Sequence, residues 1–171
     1  PIQAMVHKIP MLEGECSTVS MMSYGFNPYI LEQSPYHGAY LAIVESVAKL
    51  VATGASYDHI YLSLQEYFEK LGDNDKSWGK AFSAVLGAFR AQMELGIGAI
   101  GGKDSMSGTF NDISVPPTLV SFAVSMTTAE NVISPEFKKA GNNIYLVRTA
   151  YDENDLPDLK ELKKNFDFIT E

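Results

Sequence analysis

The sequence predicts an α+β domain in which a mixed β-sheet carries two main helices on one face. Two long segments repeat apolar residues at steps of three and four, the spacing of one helix face. Five shorter segments read as strands, most of them rich in β-branched and aromatic residues and partly alternating, as half-buried strands do. Glycine, proline and asparagine stand at the joints, which fixes the order as strand, helix, strand, helix, strand, strand, loop and a further strand.

Residues 1 to 15 mix apolar and polar types without sustained period and are expected to be irregular, with a short strand at their end. CSTVSMMSY, Cys16 to Tyr24, suits a strand, and GFNPYILEQSP reads as a loop punctuated by Gly25, Asn27-Pro28 and Ser34-Pro35. Ser34 is then an N-cap with Pro35 at the first helical position. Leu41, Val44, Val47, Ala48 and Val51 carry that helix to about Gly54, with Glu45 and Lys49 one turn apart on its other face. IYLSLQEYF, Ile60 to Phe68, alternates like a strand with one wetter face, and Gly72 to Ser77 is a turn. Phe82, Val85, Leu86, Phe89 and Met93 give the second helix, Trp78 to Leu95, with Gly96 as its stop and Gly87 marking a close contact. Ile97 to Ile100 is a short strand, Pro117 to Ala129 a long one, and NIYLVRTA, Asn143 to Ala150, another. The charged stretch Asp152 to Lys164 predicts a short helix.

With 171 residues, 46% of them hydrophobic, the chain is expected to bury one core. A formal net charge of −8, without clustered lysine and arginine, argues against a nucleic-acid partner. No apolar run reaches the ~20 residues that span a bilayer and no leader opens the chain, so a soluble cytoplasmic protein is expected. The lone Cys16 forms no internal disulfide and reads as a small buried residue. A start at Pro1 and an end in FDFITE suggest a piece of something longer.

The segment GAIGGKDSMSGTFND, Gly98 to Asp112, holds the most chemistry. It lacks the glycine spacing of a Walker loop or a dinucleotide fingerprint, and no helix is expected to follow it. Its glycines expose backbone N–H groups, and Lys103, Ser105 and Ser107 add donors suited to an anion, while Asp104 is placed to bind a cation or fix the lysine. Plain turn chemistry explains the same residues, and the spacing alone leaves both readings open.

GKDSMS, followed by VPPTLVSFAVS, resembles the second synthetase repeat of the phosphoribosylformylglycinamidine synthase family. The resemblance extends over GFNPYILEQSPYHGAYLAIVESVAKLVATGA, over LSLQEYFEKLGDNDKSWGKAFSAVLGAFRAQMELGIGAIGGKDSMSGTF and over ISPEFKKAGNNIYLV, nearly the whole chain. It implies a ligase that converts formylglycinamide ribonucleotide, ATP and glutamine to formylglycinamidine ribonucleotide, ADP, phosphate and glutamate. It also implies a domain like the N-terminal one of aminoimidazole ribonucleotide synthetase, whose sheet pairs with a second such sheet into a barrel. On that reading residues 1–140 are the second N-terminal-type domain and 141–171 the beginning of the C-terminal-type domain that follows. The fragment alone is not expected to be active, because the first synthetase repeat and the glutaminase domain are its missing partners.

The resemblance places Gly102, Lys103, Asp104, Ser105 and Ser107 near substrate or nucleotide phosphate, with ATP and Mg²⁺ as cofactors of the full enzyme. No catalytic residue is assigned, and a non-catalytic half-domain that completes the barrel is the alternative. Some family members hold an auxiliary nucleotide through metal ions, and those positions fall here on Glu15, Glu45 and Lys49. An ammonium at Lys49 would repel a metal, so pairing of Lys49 with Glu45 along the helix is the favoured reading there. His37 reads as a polar residue at a helix start, His7 and His59 carry less, and no histidine pair has zinc spacing. Tyr24, Phe26 and Tyr29 are expected to anchor a loop, and Met21 and Met22 to pack. Ser121, Phe122 and Val124 are expected on an apolar sheet face that must be covered, in the isolated chain by a second copy as a homodimer.

Overall fold

The computed structural model describes residues 3–171. Five strands form one mixed sheet: β1 (Met5–Lys8), β2 (Thr18–Gly25), β3 (Tyr61–Tyr67), β4 (Ala99–Ser105) and β7 (Thr118–Thr128), in the spatial order β1-β2-β7-β3-β4. A small hairpin, β5 (Thr109–Phe110) and β6 (Ile113–Ser114), projects between β4 and β7. Only β3 and β4 run parallel, and the helix that connects them is α3 (Asp75–Leu95), as a crossover requires. The expected α+β arrangement, with two long helices on one face of a mixed sheet, is the arrangement observed.

Helix α2 (Pro35–Val51) begins where the sequence places it: Ser34 Oγ accepts the backbone N–H of His37, and Pro35 occupies the first turn. It lies over β2 and β7, burying Ile43, Val47 and Leu50. Beneath it Ser46 Oγ donates to the Ile43 carbonyl at 2.9 Å and meets Ser121 Oγ at 2.9 Å, while Ser23 Oγ donates to the Ser46 carbonyl at 2.6 Å. These three buried serines are thereby satisfied inside an otherwise apolar layer.

The α2–α3 contact inverts one expectation. Helix α3 presents Ala81, Ala84, Gly87, Ala88 and Ala91 to α2, while Phe82, Val85, Leu86, Phe89 and Met93 face outward. The small side chains allow the axes to approach closely, and a Cβ on Gly87 would sit 2.1 Å from the carbonyl oxygen of Tyr36. The large residues give the helical period, and the alanines choose the inner face. Gly96, at φ 76°, ends the helix in the left-handed conformation, as expected.

Other departures have local causes. The stretch read as irregular contains β1, an edge strand of four residues, too short to show a period. Within the segment read as a loop lies α1 (Pro28–Gln33), capped by Asn27 Oδ1, which accepts from the backbone N–H of Tyr29 and Ile30 at 3.1 and 3.3 Å. Asn-Pro here is a cap and first turn, and the turn read over residues 72–77 likewise ends in the Asn74 cap of α3. Asn143 to Ala150 is not a strand: it pairs with no strand among the described residues, and Ile144, Tyr145 and Leu146 are exposed. Without a neighbouring ladder its backbone groups gain nothing from extension. The charged helix forms later than expected, as α4 (Leu159–Thr170), capped by Asp158 and packed on α2 and α3 through Leu159 and Phe166.

Candidate functional site

Among the described residues no long helix lies on the second face of the sheet. Register sorts its side chains: Met5 and His7 on β1, Ser20, Met22 and Tyr24 on β2, Phe122, Val124 and Met126 on β7, and Tyr61, Gln65 and Tyr67 on β3 share it. Phe122 and Val124 are thus on the open face as expected, whereas Ser121 points the other way, into the serine cluster. Met21 packs in the core and Met22 does not, because neighbours on a strand face opposite sides. One end of this face is an apolar hollow of about 450 Å³ bordered by Met5, Met22, Tyr61 and Met126, with His7 and His59 on its rim.

The opposite end is polar and contains the glycine-rich motif. Gly98 to Asp112 is mostly not a loop: the strand expected at Ile97 to Ile100 instead runs on as β4 through Ser105, at the sheet edge. A Cβ on Gly102 would lie 2.3 Å from the Leu64 carbonyl oxygen, so glycine is what lets β4 lie this close to β3. Parallel pairing sets Lys103 beside Gln65, and Ser105 beside Tyr67. Lys103 Nζ sits 5.3 Å from the centre of the Tyr67 ring and 3.4 Å from the Asp104 carbonyl oxygen, and makes no salt bridge among the described residues. Tyr67 donates its hydroxyl to Gln65 Oε1 at 3.0 Å, and the Ser105 and Ser107 hydroxyls lie 3.3 Å apart.

Lys103, Ser105 and Ser107 therefore cluster at the carboxyl ends of two parallel strands, the end at which open α/β sheets take ligands. A cation and two hydroxyls form a donor set that fits a phosphate, with the Tyr67 ring beneath the lysine. Asp104 alternates to the helix-covered side and is paired in register with Glu66. Burial, with the Asp104 charge second, raises the Glu66 carboxyl above its ordinary range. The loop that follows is fastened to the exit of β3: Gly108 N donates to the Phe68 carbonyl at 2.9 Å and Lys70 N to Thr109 Oγ1 at 2.9 Å. Sequence reasoning missed Gln65, Glu66 and Tyr67. Their alternation in LQEY marks a strand, but only the parallel pairing with β4 brings them to the motif.

The second set of expected residues forms a clamp. Lys49 Nζ is 2.7 Å from Glu45 Oε1, donates to the Tyr24 carbonyl at 2.8 Å and lies 4.6 Å from the centre of the Tyr24 ring. Glu45 Oε2 accepts the Phe26 backbone N–H at 3.0 Å. These groups hold the end of β2 to α2, and a carboxylate already engaged by an ammonium does not fit Mg²⁺. Glu15 is exposed in the connection between β1 and β2. No cluster of three or more metal-ligating histidine, cysteine, aspartate or glutamate residues occurs among the described residues.

Cys16 is half-buried and not enclosed, and hydrogen bonds from Thr18 hold its thiol below the ordinary range. His37 bridges Ser34 Oγ, at 2.7 Å, and the Asn154 carbonyl, at 3.1 Å, joining the start of α2 to the segment before α4. No described helix is long and apolar enough to cross a membrane.

No family model and no curated protein matches this sequence. Solved structures do match. Phosphoribosylformylglycinamidine synthase II from Thermotoga maritima shares 18% identity at a TM-score of 0.67, over 79% of this chain and 21% of that one. PurL from T. maritima complexed with FGAR gives the same values, and its complex with ATP gives 18% identity and a TM-score of 0.66, over 79% and 22%. Thiamine monophosphate kinase from Aquifex aeolicus matches at 15% identity and a TM-score of 0.51, over 69% of this chain and 37% of that one. This chain spans about a fifth of the length of the synthases it matches. Over most of its length, it has the fold of one portion of phosphoribosylformylglycinamidine synthase II.

Proposed function

We propose that this chain is the second synthetase-type half of a phosphoribosylformylglycinamidine synthase, working in the cytoplasm. In that enzyme ATP phosphorylates the amide oxygen of formylglycinamide ribonucleotide, and ammonia released from glutamine displaces the phosphate. The observation that supports the reading most is the joint one of a fold match to the synthase and a donor cluster, Lys103, Ser105 and Ser107 beside the Tyr67 ring, on the sheet face opposite α2. Residues 1–140 act as the N-terminal-type domain and residues 141–171 begin the next one, docked here through α4. The open face is covered by an equivalent sheet, supplied by the first repeat of a longer polypeptide or, for this chain alone, by a second copy.

Lys103 Nζ binds and orients a phosphate at the seam between the two sheets, with the serine hydroxyls donating beside it. Tyr67 is a positioning residue, because its ring carries the lysine and its hydroxyl is tied to Gln65. ATP supplies the phosphoryl group. The full reaction needs the first repeat and the glutaminase domain, so this chain alone does not turn over.

The test is Lys103→Ala in the full-length protein. Loss of one charge-assisted contact, about 1.5–3 kcal/mol, is expected to lower turnover roughly tenfold or more with an unchanged melting temperature. The second reading, a non-catalytic half-domain that completes the barrel, is favoured by the Glu45–Lys49 clamp. It predicts the reverse outcome, lowered stability with normal turnover per folded molecule.

A further inference from the structure

The outward face of α3 has a symmetry of its own. Its exposed large residues are Trp78, Phe82, Val85, Leu86, Phe89 and Met93, each between 44 and 69% exposed. From Trp78 to Met93 the only other exposed position is Gly79, with the charged Lys80 and Arg90 half-buried beside it, so the stripe itself, more than four turns long, carries no charge. A water-facing helix ordinarily puts charged residues there. The spacing is also palindromic about the midpoint between Val85 and Leu86: Trp78 mirrors Met93, Phe82 mirrors Phe89 and Val85 mirrors Leu86.

A two-fold axis through that midpoint, perpendicular to the helix, converts this mirror pattern into contacts. In an antiparallel pair every position meets its mirror position on the other copy, the self-complementarity an isologous interface demands. Trp78 then lies against Met93 of the other copy, the two phenylalanines of each copy stack against their exchanged counterparts, and Val85 meets Leu86 at the axis. Antiparallel alignment also sets each helix's positive end beside the other's negative end. The steps Trp78, Phe82, Val85, Phe89 are four, three and four residues, the seam on which helices pack at a shallow crossing angle.

The area suffices. At roughly 150–250 Å² for a whole aromatic side chain, the six residues offer on the order of 600 Å² per copy, near the ~800 Å² per partner of a standard interface. We propose that α3 is a homodimerisation helix, docking antiparallel on α3 of a second copy of this chain. Since α3 packs on α2, the helix that lies over β2 and β7, and the open face lies on the other side of the sheet, this interface is independent of any covering of the open face.

Two measurements test it. By light scattering across micromolar concentrations, Phe89→Glu is expected to remove one association step while its circular dichroism stays unchanged, and Met126→Glu on the open face is expected to leave that step intact. Loss of the step in Met126→Glu, with none in Phe89→Glu, would overturn the α3 dimer and leave the sheet-pairing reading standing. In a Cys16→Ser background, Phe82→Cys chains mixed with tagged Phe89→Cys chains should be joined by a short bismaleimide into mixed dimers. Phe82→Cys alone should not cross-link to itself, because those positions lie about 10 Å apart along the pair at ~1.5 Å per residue. Cross-linking of Phe82→Cys to itself at the rate of the mixture, or a wild-type chain monomeric throughout, overturns the proposal.

Discussion

Gly87→Ala and Gly79→Ala place the same methyl group on the same helix, with opposite expected signs. At Gly87 the added carbon would meet three atoms of the Tyr36 backbone, at 2.1, 2.9 and 3.0 Å, and a main-chain carbonyl at the start of α2 has no rotamer to move into. The helices must separate there by about an ångström, which loosens the alanine packing of Ala84, Ala88 and Ala91. Overpacking of this kind costs ~1–3 kcal/mol, and contact with backbone sets it at the upper end. Alanine's better helix propensity returns about 1 kcal/mol, leaving a net loss near 2 kcal/mol. At Gly79 nothing lies within 4 Å of the added carbon, so the propensity gain stands alone, about 0.5–1 kcal/mol. For a chain of this size each kcal/mol moves the melting temperature by roughly 2–4 °C. Thermal denaturation followed by circular dichroism should show Gly87→Ala melting about 4–8 °C below wild type and Gly79→Ala a few degrees above it. A Gly87→Ala protein as stable as wild type would refute the claim that backbone contact sets the spacing of α2 and α3.

Further expectations concern charge, buried polarity and capping. The raised carboxyl of Glu66 means that stability is fully present below the ordinary glutamate range and is lost as pH rises through the folded value. Glu66→Gln should therefore be more stable than wild type at neutral pH and indistinguishable from it below about pH 4, near the unperturbed glutamate value, and a pH-independent difference in urea midpoint would contradict this. Ser46→Ala leaves the buried Ser121 hydroxyl without its partner and should cost about 1–3 kcal/mol, with Ser46→Ala/Ser121→Ala costing less than the sum of the single changes in a denaturation cycle. Asp158→Ala removes the side chain that accepts the backbone N–H of Lys160 at 2.8 Å and of Glu161 at 3.2 Å. It should cost ~1 kcal/mol and speed hydrogen exchange in α4 ahead of α2, while uniform acceleration across the chain would argue against local capping.

The sequence alone determined the elements whose signals are local. Ser34-Pro35 set the start of α2, Gly96 the end of α3, and the β-rich run from Pro117 the long central strand, because caps, φ preferences and side-chain alternation act within a few residues. It also singled out GKDSMS. Only the tertiary structure decided what those elements face. A period of 3.6 residues locates an apolar stripe on α3 without saying that the alanines turn inward; that choice follows from how closely α2 approaches at Gly87. Lys103 acquired Tyr67 and Gln65 as neighbours, and Asp104 acquired Glu66, through a parallel pairing between strands separated by the whole of α3. Asn143 to Ala150 has the composition of a strand and no strand partner among the described residues, since a strand's hydrogen bonds belong to its neighbours and a helix's belong to itself.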